Sequence, residues 1–175
     1  GAFDFFQGEP QAQVQGEAGE AILSIIDRNP YEITLIALGP LTNIAKAYLA
    51  SPKTMSKLKE LVIMGGALNT YGNVTAVAEF NFYCDPEAAA TIVASPIPKT
   101  IVPVNVCRKV VMTPEEVRQF RGSGESSILE KMVENYLAYY LVNEKLGGAV
   151  LYDPVAMSIG INPLYATAQE DYHVQ

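Results

Sequence analysis

Ile33-Thr34-Leu35-Ile36-Ala37-Leu38-Gly39-Pro40-Leu41-Thr42-Asn43 is the stretch on which the fold turns. Its first six residues are apolar or β-branched with no polar alternation, the pattern of a strand buried on both faces. Gly39-Pro40 breaks that strand, and Leu41 to Ala50 reads as a helix. A doubly buried strand followed at once by a helix predicts a parallel sheet with helices packed on it.

The same alternation extends outward in both directions. Upstream, Ala18, Ala21, Ile22, Ile25 and Ile26 recur at helical spacing, and Pro30 lies beyond the last turn. Residues 1–16, rich in Gln, Gly and Pro, read as loop. Downstream, Leu61-Val62-Ile63-Met64 is a second buried strand, closed by Gly65-Gly66, and Thr100 to Asn105 reads as a third. Asp85-Pro86-Glu87 opens an alanine-rich helix: Asp caps it, Pro suits the first helical position, and Glu favours the positive end of the helix dipole. Thr113-Pro114-Glu115-Glu116 is a further helix start with a capping-box spacing. Residues 125–145 read as one longer helix with Tyr and Leu on its apolar face, and Asp153-Pro154 opens the last helix. No internal repeat, linker or low-complexity tract interrupts the 175 residues.

Composition excludes several function classes. Hydrophobic residues make up 49% and charged residues 18%, enough apolar mass for a core. No run of about 18 apolar residues is present to span a membrane. The net charge of -7 and the lack of a basic run argue against a nucleic-acid partner. Cys84 and Cys107 are too few and too far apart for a disulfide scaffold or a zinc site. They read as buried free thiols. Together with a start, Gly1-Ala2-Phe3-Asp4-Phe5-Phe6, that has no basic n-region, they predict a cytoplasmic protein.

In a parallel sheet, ligands bind past the carboxyl ends of the strands. The loops to inspect are therefore Leu38 to Asn43, the stretch from Met64 to Asn81, and Asn105-Val106-Cys107-Arg108. The second is long and polar. Its two glycines permit backbone conformations that other residues avoid. Asn73, Glu79 and Asn81 offer the donors and acceptors that a polyhydroxylated ligand needs. On an extended segment Glu79 and Asn81 would face one side. Each feature also has a plainer explanation: Gly-Gly as a turn, a loop Asn bonding its own backbone, and Asp85 and Asp153 as caps before Pro. His173 is the only histidine and has no partner for a Ser-His-Asp set.

Ala37-Leu38-Gly39-Pro40-Leu41-Thr42-Asn43-Ile44-Ala45, Val62-Ile63-Met64-Gly65-Gly66, Gly72-Asn73-Val74-Thr75, Ala78-Glu79-Phe80-Asn81 and Asp85-Pro86-Glu87-Ala88-Ala89 occur in this order with these spacings. Together they closely resemble the inosine/uridine-preferring nucleoside hydrolase family, from about residue 17 to Asp153-Pro154. The resemblance implies an open α/β fold with a mostly parallel sheet flanked by helices. It also implies hydrolysis of the N-glycosidic bond of ribonucleosides, giving ribose and free base. In that chemistry C1′ gains oxocarbenium character, and one Ca2+ holds ribose hydroxyls and a water whose pKa it lowers. An aspartate takes the water's proton.

Carried over residue by residue, the resemblance makes Asp153 and the backbone carbonyl of Leu38 calcium ligands. Met64, Asn73, Glu79 and Asn81 become ribose contacts. Asn81 would stabilise the oxocarbenium ion with its carbonyl end, while Glu79 and Asn73 would hold hydroxyl groups. Homo-oligomers, dimers or tetramers, are common in the family.

The departures are specific. The family's Asp-x-Asp-x-x-x-Asp-Asp cluster is missing, and Asp4 stands alone. Residues 1–175 are therefore expected to be a single partial domain, with N-terminal and C-terminal parts of the family domain absent. Where many members have His before the late aspartate, this chain has Tyr152, a poorer proton donor at neutral pH that can still contact the leaving base. Asn105-Val106-Cys107-Arg108 stands where Asp-Val-Thr-His is frequent. A non-catalytic nucleoside- or ribose-binding member, or an α/β domain kept for assembly, are the alternatives.

Overall fold

The computed structural model describes residues 16–120, 127–143 and 147–172. The loop expected over the first residues, Asp4 and His173 lie outside them. In chain order the elements begin α1 (Ala18–Arg28), β1 (Thr34–Ala37), α2 (Thr42–Ala50), α3 (Pro52–Met55), β2 (Glu60–Met64), α4 (Phe80–Cys84), α5 (Pro86–Ala94) and β3 (Lys99–Val102). There follow α6 (Val104–Cys107), β4 (Val111–Met112), α7 (Pro114–Phe120), α8 (Ser127–Asn143), β5 (Ala149–Val150) and α9 (Tyr152–Ile161), then a 3-10 turn at Pro163–Tyr165. They fall into two compact units, one of residues 16–106 with 152–172 and one within residues 107–151.

The larger unit is built on a parallel sheet of order β1-β2-β3. Thr34 pairs with Glu60 and Ala37 with Ile63 on one side of β2, and Leu61 with Lys99 and Met64 with Val102 on the other. The central strand explains the unbroken apolar run, since Leu61, Val62, Ile63 and Met64 are all buried. Ala37, Leu61 and Ile63 point into a core with Ile26 of α1, Ile44 of α2, Met55 of α3 and Ile92 of α5. Ile36 and Val62 point the opposite way, onto Gly160 of α9. The sheet is thus covered on both faces. Each side chain fully removed from water contributes roughly 1.5–3 kcal/mol.

The helix starts follow local chemistry. Asp85 accepts from the Ala88 N–H (3.0 Å) and caps α5, with Pro86 at its first position. In the smaller unit, Thr113 Oγ1 accepts from the Glu116 N–H (3.3 Å) while Glu116 accepts from the Thr113 N–H (2.7 Å), closing the predicted capping box. There β4 and β5 pair antiparallel, and α8 buries Leu137 and Tyr140. The Tyr136 hydroxyl donates to the Val150 carbonyl (2.9 Å), tying α8 to β5.

Three expectations needed revision. The third strand stops at Val102, and Val104 to Cys107 form a short helix; Pro103 has no N–H with which to continue the ladder. Cys84 is exposed at the end of α4, and only Cys107 is buried. The segment carrying Glu79 and Asn81 is not extended, because a helical turn begins at Phe80. Among the described residues no helix is long and apolar enough to cross a membrane.

Candidate active site

At the carboxyl end of β2 the chain turns through Gly65 and Gly66. A side chain on Gly65 would run into the ring of Phe82, so the ring lies directly against the bare backbone. Gly66 has φ +78°, a conformation costly for residues with a Cβ. This turn aims the Gly66 N–H at Glu79 Oε2 (3.0 Å).

Glu79 is the organiser of the loop. It is 2% exposed, and its carboxylate accepts from three backbone donors. Oε2 takes Gly66 N–H and Phe82 N–H (3.2 Å), and Oε1 takes Asn81 N–H (2.9 Å). It is the N-cap of α4. Glutamate is not among the usual N-caps, but its longer reach here satisfies donors from two chain segments. An ionised carboxylate has about four acceptor sites, so three backbone donors leave capacity on Oε1.

Asn81 sits in the first turn of α4 and is 7% exposed. Its Nδ2 donates to the Met64 carbonyl (3.0 Å) and touches the Met64 sulfur at 3.3 Å. Fixing the amino end of a planar amide also fixes its carbonyl end. Met64 therefore acts through its backbone and sulfur to set the direction of Asn81 Oδ1. Asn73, exposed, accepts from the Phe80 N–H (2.8 Å) through Oδ1, which leaves Nδ2 for other partners. Between them, the N–H groups of Asn73, Val74 and Thr75 converge on the Ala78 carbonyl, closing the loop on itself.

The remaining predicted residues arrive from other strand and helix ends. Leu38 is half-buried immediately past β1, whose last residue is paired with Ile63, next to Met64. Half-buried Tyr152 opens α9. Asp153 follows in the first turn of that helix rather than as its cap. Its carboxyl is held above the ordinary aspartate pKa, first by partial loss of water and then by the negative charge of Glu79. A carboxyl whose ionised form is disfavoured by a neighbouring negative charge is one that a cation would stabilise. The donors offered are oxygens, which suit a hard ion such as calcium. Among the described residues no three His, Cys, Asp or Glu side chains gather into a metal site.

The reading of sequence alone gave no role to Asn105, whose Oδ1 accepts from the Leu68 N–H (3.3 Å) and steadies the loop beyond Gly66. Its place in a strand-end loop was the only available signal. A cavity of about 320 Å³ in the smaller unit, lined by Pro114, Val117, Leu137 and Leu141, contains none of the predicted site residues.

The family profile described as inosine-uridine preferring nucleoside hydrolase matches residues 2–175. The pyrimidine-specific ribonucleoside hydrolase RihB of Escherichia coli O139:H28 is 36% identical over 90% of this chain and 52% of its own length. A rice protein (Oryza sativa subsp. japonica) named probable uridine nucleosidase 1 is 33% identical over 93% of this chain and 51% of its own. Among solved structures, the purine-preferring ribonucleoside hydrolase from Gardnerella vaginalis superposes with a TM-score of 0.86 at 30% identity, covering 92% of this chain and 52% of that one. A plant nucleoside hydrolase, the PpNRh1 enzyme, gives the same TM-score at 28% identity. The chain spans about half the length of these relatives.

Proposed function

Since the chain belongs to the inosine-uridine preferring nucleoside hydrolase family, we propose that the protein hydrolyses the N-glycosidic bond of ribonucleosides, releasing ribose and free base, with these residues supplying the ribose-binding part of the site. The observation that carries this reading is the bonded set Met64, Glu79 and Asn81. It leaves one amide carbonyl directed by its own hydrogen bonds and one carboxylate with acceptor capacity to spare.

Cleavage withdraws electrons from C1′, and the sugar becomes positively charged as the base leaves. In this reading Asn81 Oδ1 is the dipole that meets that charge. It is pre-oriented by Met64, so no reorganisation is needed at the moment of reaction. Glu79 accepts from a ribose hydroxyl on Oε1, and Asn73 Nδ2 donates to another, so that the ring is held in one orientation. Calcium, when bound, supplies charge that holds ribose hydroxyls and acidifies the attacking water. Asp153 and the Leu38 carbonyl are the groups of this chain that would hold it, and the raised pKa of Asp153 is what a cation would relieve. The proton of the attacking water needs a carboxylate acceptor. The family resemblance assigns that role to an aspartate cluster absent from these 175 residues.

Tyr152 is the proposed contact for the leaving base. The relatives' names divide between pyrimidine-specific and purine-preferring, and a contact to the leaving base is where such a preference would be set. The direct test is release of reducing sugar from uridine and inosine by the full-length protein, with calcium and after chelation. Calcium-dependent release of ribose from either nucleoside is expected. No release from any ribonucleoside would overturn the assignment, and tight ribose binding without turnover would make the protein a binder instead.

A further inference from the structure

Two strand-end loops must keep a fixed separation for the proposed site to work: the one after β1, which carries Leu38, and the one after β2, which carries Glu79 and Asn81. Backbone ladders fix the strands but not what lies beyond them. A side-chain pair joins the two regions. Thr42, the first residue of α2, donates its hydroxyl to Asp85 Oδ2. Asp85 Oδ1 meanwhile accepts from the Ala88 N–H (3.0 Å). Asp85 ends α4 and starts α5, so its carboxylate ties together the ends of three helices.

The position of each partner is informative. Thr42 follows Leu38 by one tight Gly-Pro turn. Asp85 closes the five-residue helix whose N-cap is Glu79 and whose first turn holds Asn81. Beneath the pair, Leu41, Ala45, Ala88 and Ala89 are buried in one core, so α2 and α5 form a firm base. The carboxyl of Asp85 is held below the ordinary aspartate range, chiefly by the Thr42 hydroxyl and then by the Ala88 N–H, and it therefore stays ionised as an acceptor. A helix cap alone would need only one of its two oxygens.

We propose that Thr42 and Asp85 form a positioning clamp that sets the loop carrying Leu38 against the turn carrying Glu79 and Asn81, on the reading that this is a ribonucleoside hydrolase site. Neither residue touches the reacting atoms. Their effect is on the alignment of groups that do.

Thr42→Val, which replaces the hydroxyl by a methyl of equal size, is the test, with Thr42→Ser as the variant that keeps the hydrogen bond. Both are made in the full-length protein. Thr42→Val should lower kcat by about tenfold to a hundredfold, the scale of small misplacements at an active site. It should also weaken calcium binding, read by calorimetry without substrate. Thr42→Ser should restore both. Because Asp85 can still cap α5 in Thr42→Val, the melting temperature should change little. A variant with wild-type kcat and calcium affinity, in a wild-type protein that hydrolyses nucleosides, overturns the clamp and leaves the function standing. If Ser is as impaired as Val, the hydroxyl is not what matters and the clamp also falls. A wild-type protein that neither hydrolyses nor binds ribonucleosides overturns both readings together.

Discussion

The negative charge of Glu79 reaches Asp153, although one caps α4 beside the sheet and the other lies in the first turn of α9. Partial burial first, and then that charge, give Asp153 a folded-state pKa above its unfolded value, so the folded protein holds that proton more tightly. Stability from this group therefore falls as pH rises through the raised folded value. The cost is fully present above the raised folded value and disappears on acidification below the unfolded value.

Asp153→Asn should accordingly raise the melting temperature of the calcium-free protein at neutral pH, with the advantage shrinking as pH falls. Saturating calcium should reverse the order, and activity should be lost. Thermal melts of both proteins in chelator and in calcium decide this. An unaltered turnover of the variant at saturating calcium would remove Asp153 from the metal shell.

Asn81→Ala removes the directed carbonyl. The expected loss is about 10²–10³ in kcat, the scale for deleting one pre-oriented dipole at a developing charge. Met64→Leu should be far milder, since the backbone carbonyl that orients Asn81 survives and Leu–Met exchanges cost under about 1.5 kcal/mol. Steady-state kinetics on uridine with both variants checks the pair; equal losses would contradict the division of roles.

Tyr152→His should improve cleavage of purine nucleosides more than pyrimidine nucleosides, because imidazole titrates near neutrality and phenol does not. The measurement is the ratio of kcat/KM for inosine and uridine. An unchanged ratio would take this position out of base activation.

Gly65→Ala places a methyl in the space of the Phe82 ring. Overpacking of this kind costs typically about 1–3 kcal/mol. Urea unfolding should show that loss, and adding Phe82→Leu should recover part of it. Full stability in the single variant would mean that the ring has room to move.

Much of this arrangement was legible in the sequence, for reasons that differ by element. β1 and β2 could be read because uninterrupted apolar runs end in Gly-Pro and Gly-Gly, which are local signals. The Asp85 cap and the Thr113–Glu116 box were equally local. β3 was read too long because Val104 and Val106 look like strand residues, whereas Pro103 ends the ladder. α4 is five residues long, too short to show a period, and its cap is a residue type that seldom caps. β4 and β5, two residues each, exist only through pairing across α7 and α8. The family resemblance named the site residues, but no local pattern shows that Met64 holds Asn81, that Thr42 meets Asp85, or that Glu79 acts on Asp153. Such pairings are decided by tertiary structure.

Gly160 lets α9 lie close against Ile36 and Val62, so the face of the sheet that receives this helix waits on residues made late. During synthesis the three parallel strands and the helices on their other face leave the ribosome well before α9 does. The segment bearing Asp153 must then find a partly built sheet with Ile36 and Val62 still bare. Until it docks, Glu79 has its three backbone donors but no acidic neighbour. In the proposed site, the share of cation binding that Asp153 would supply should therefore appear only once α9 has been seated.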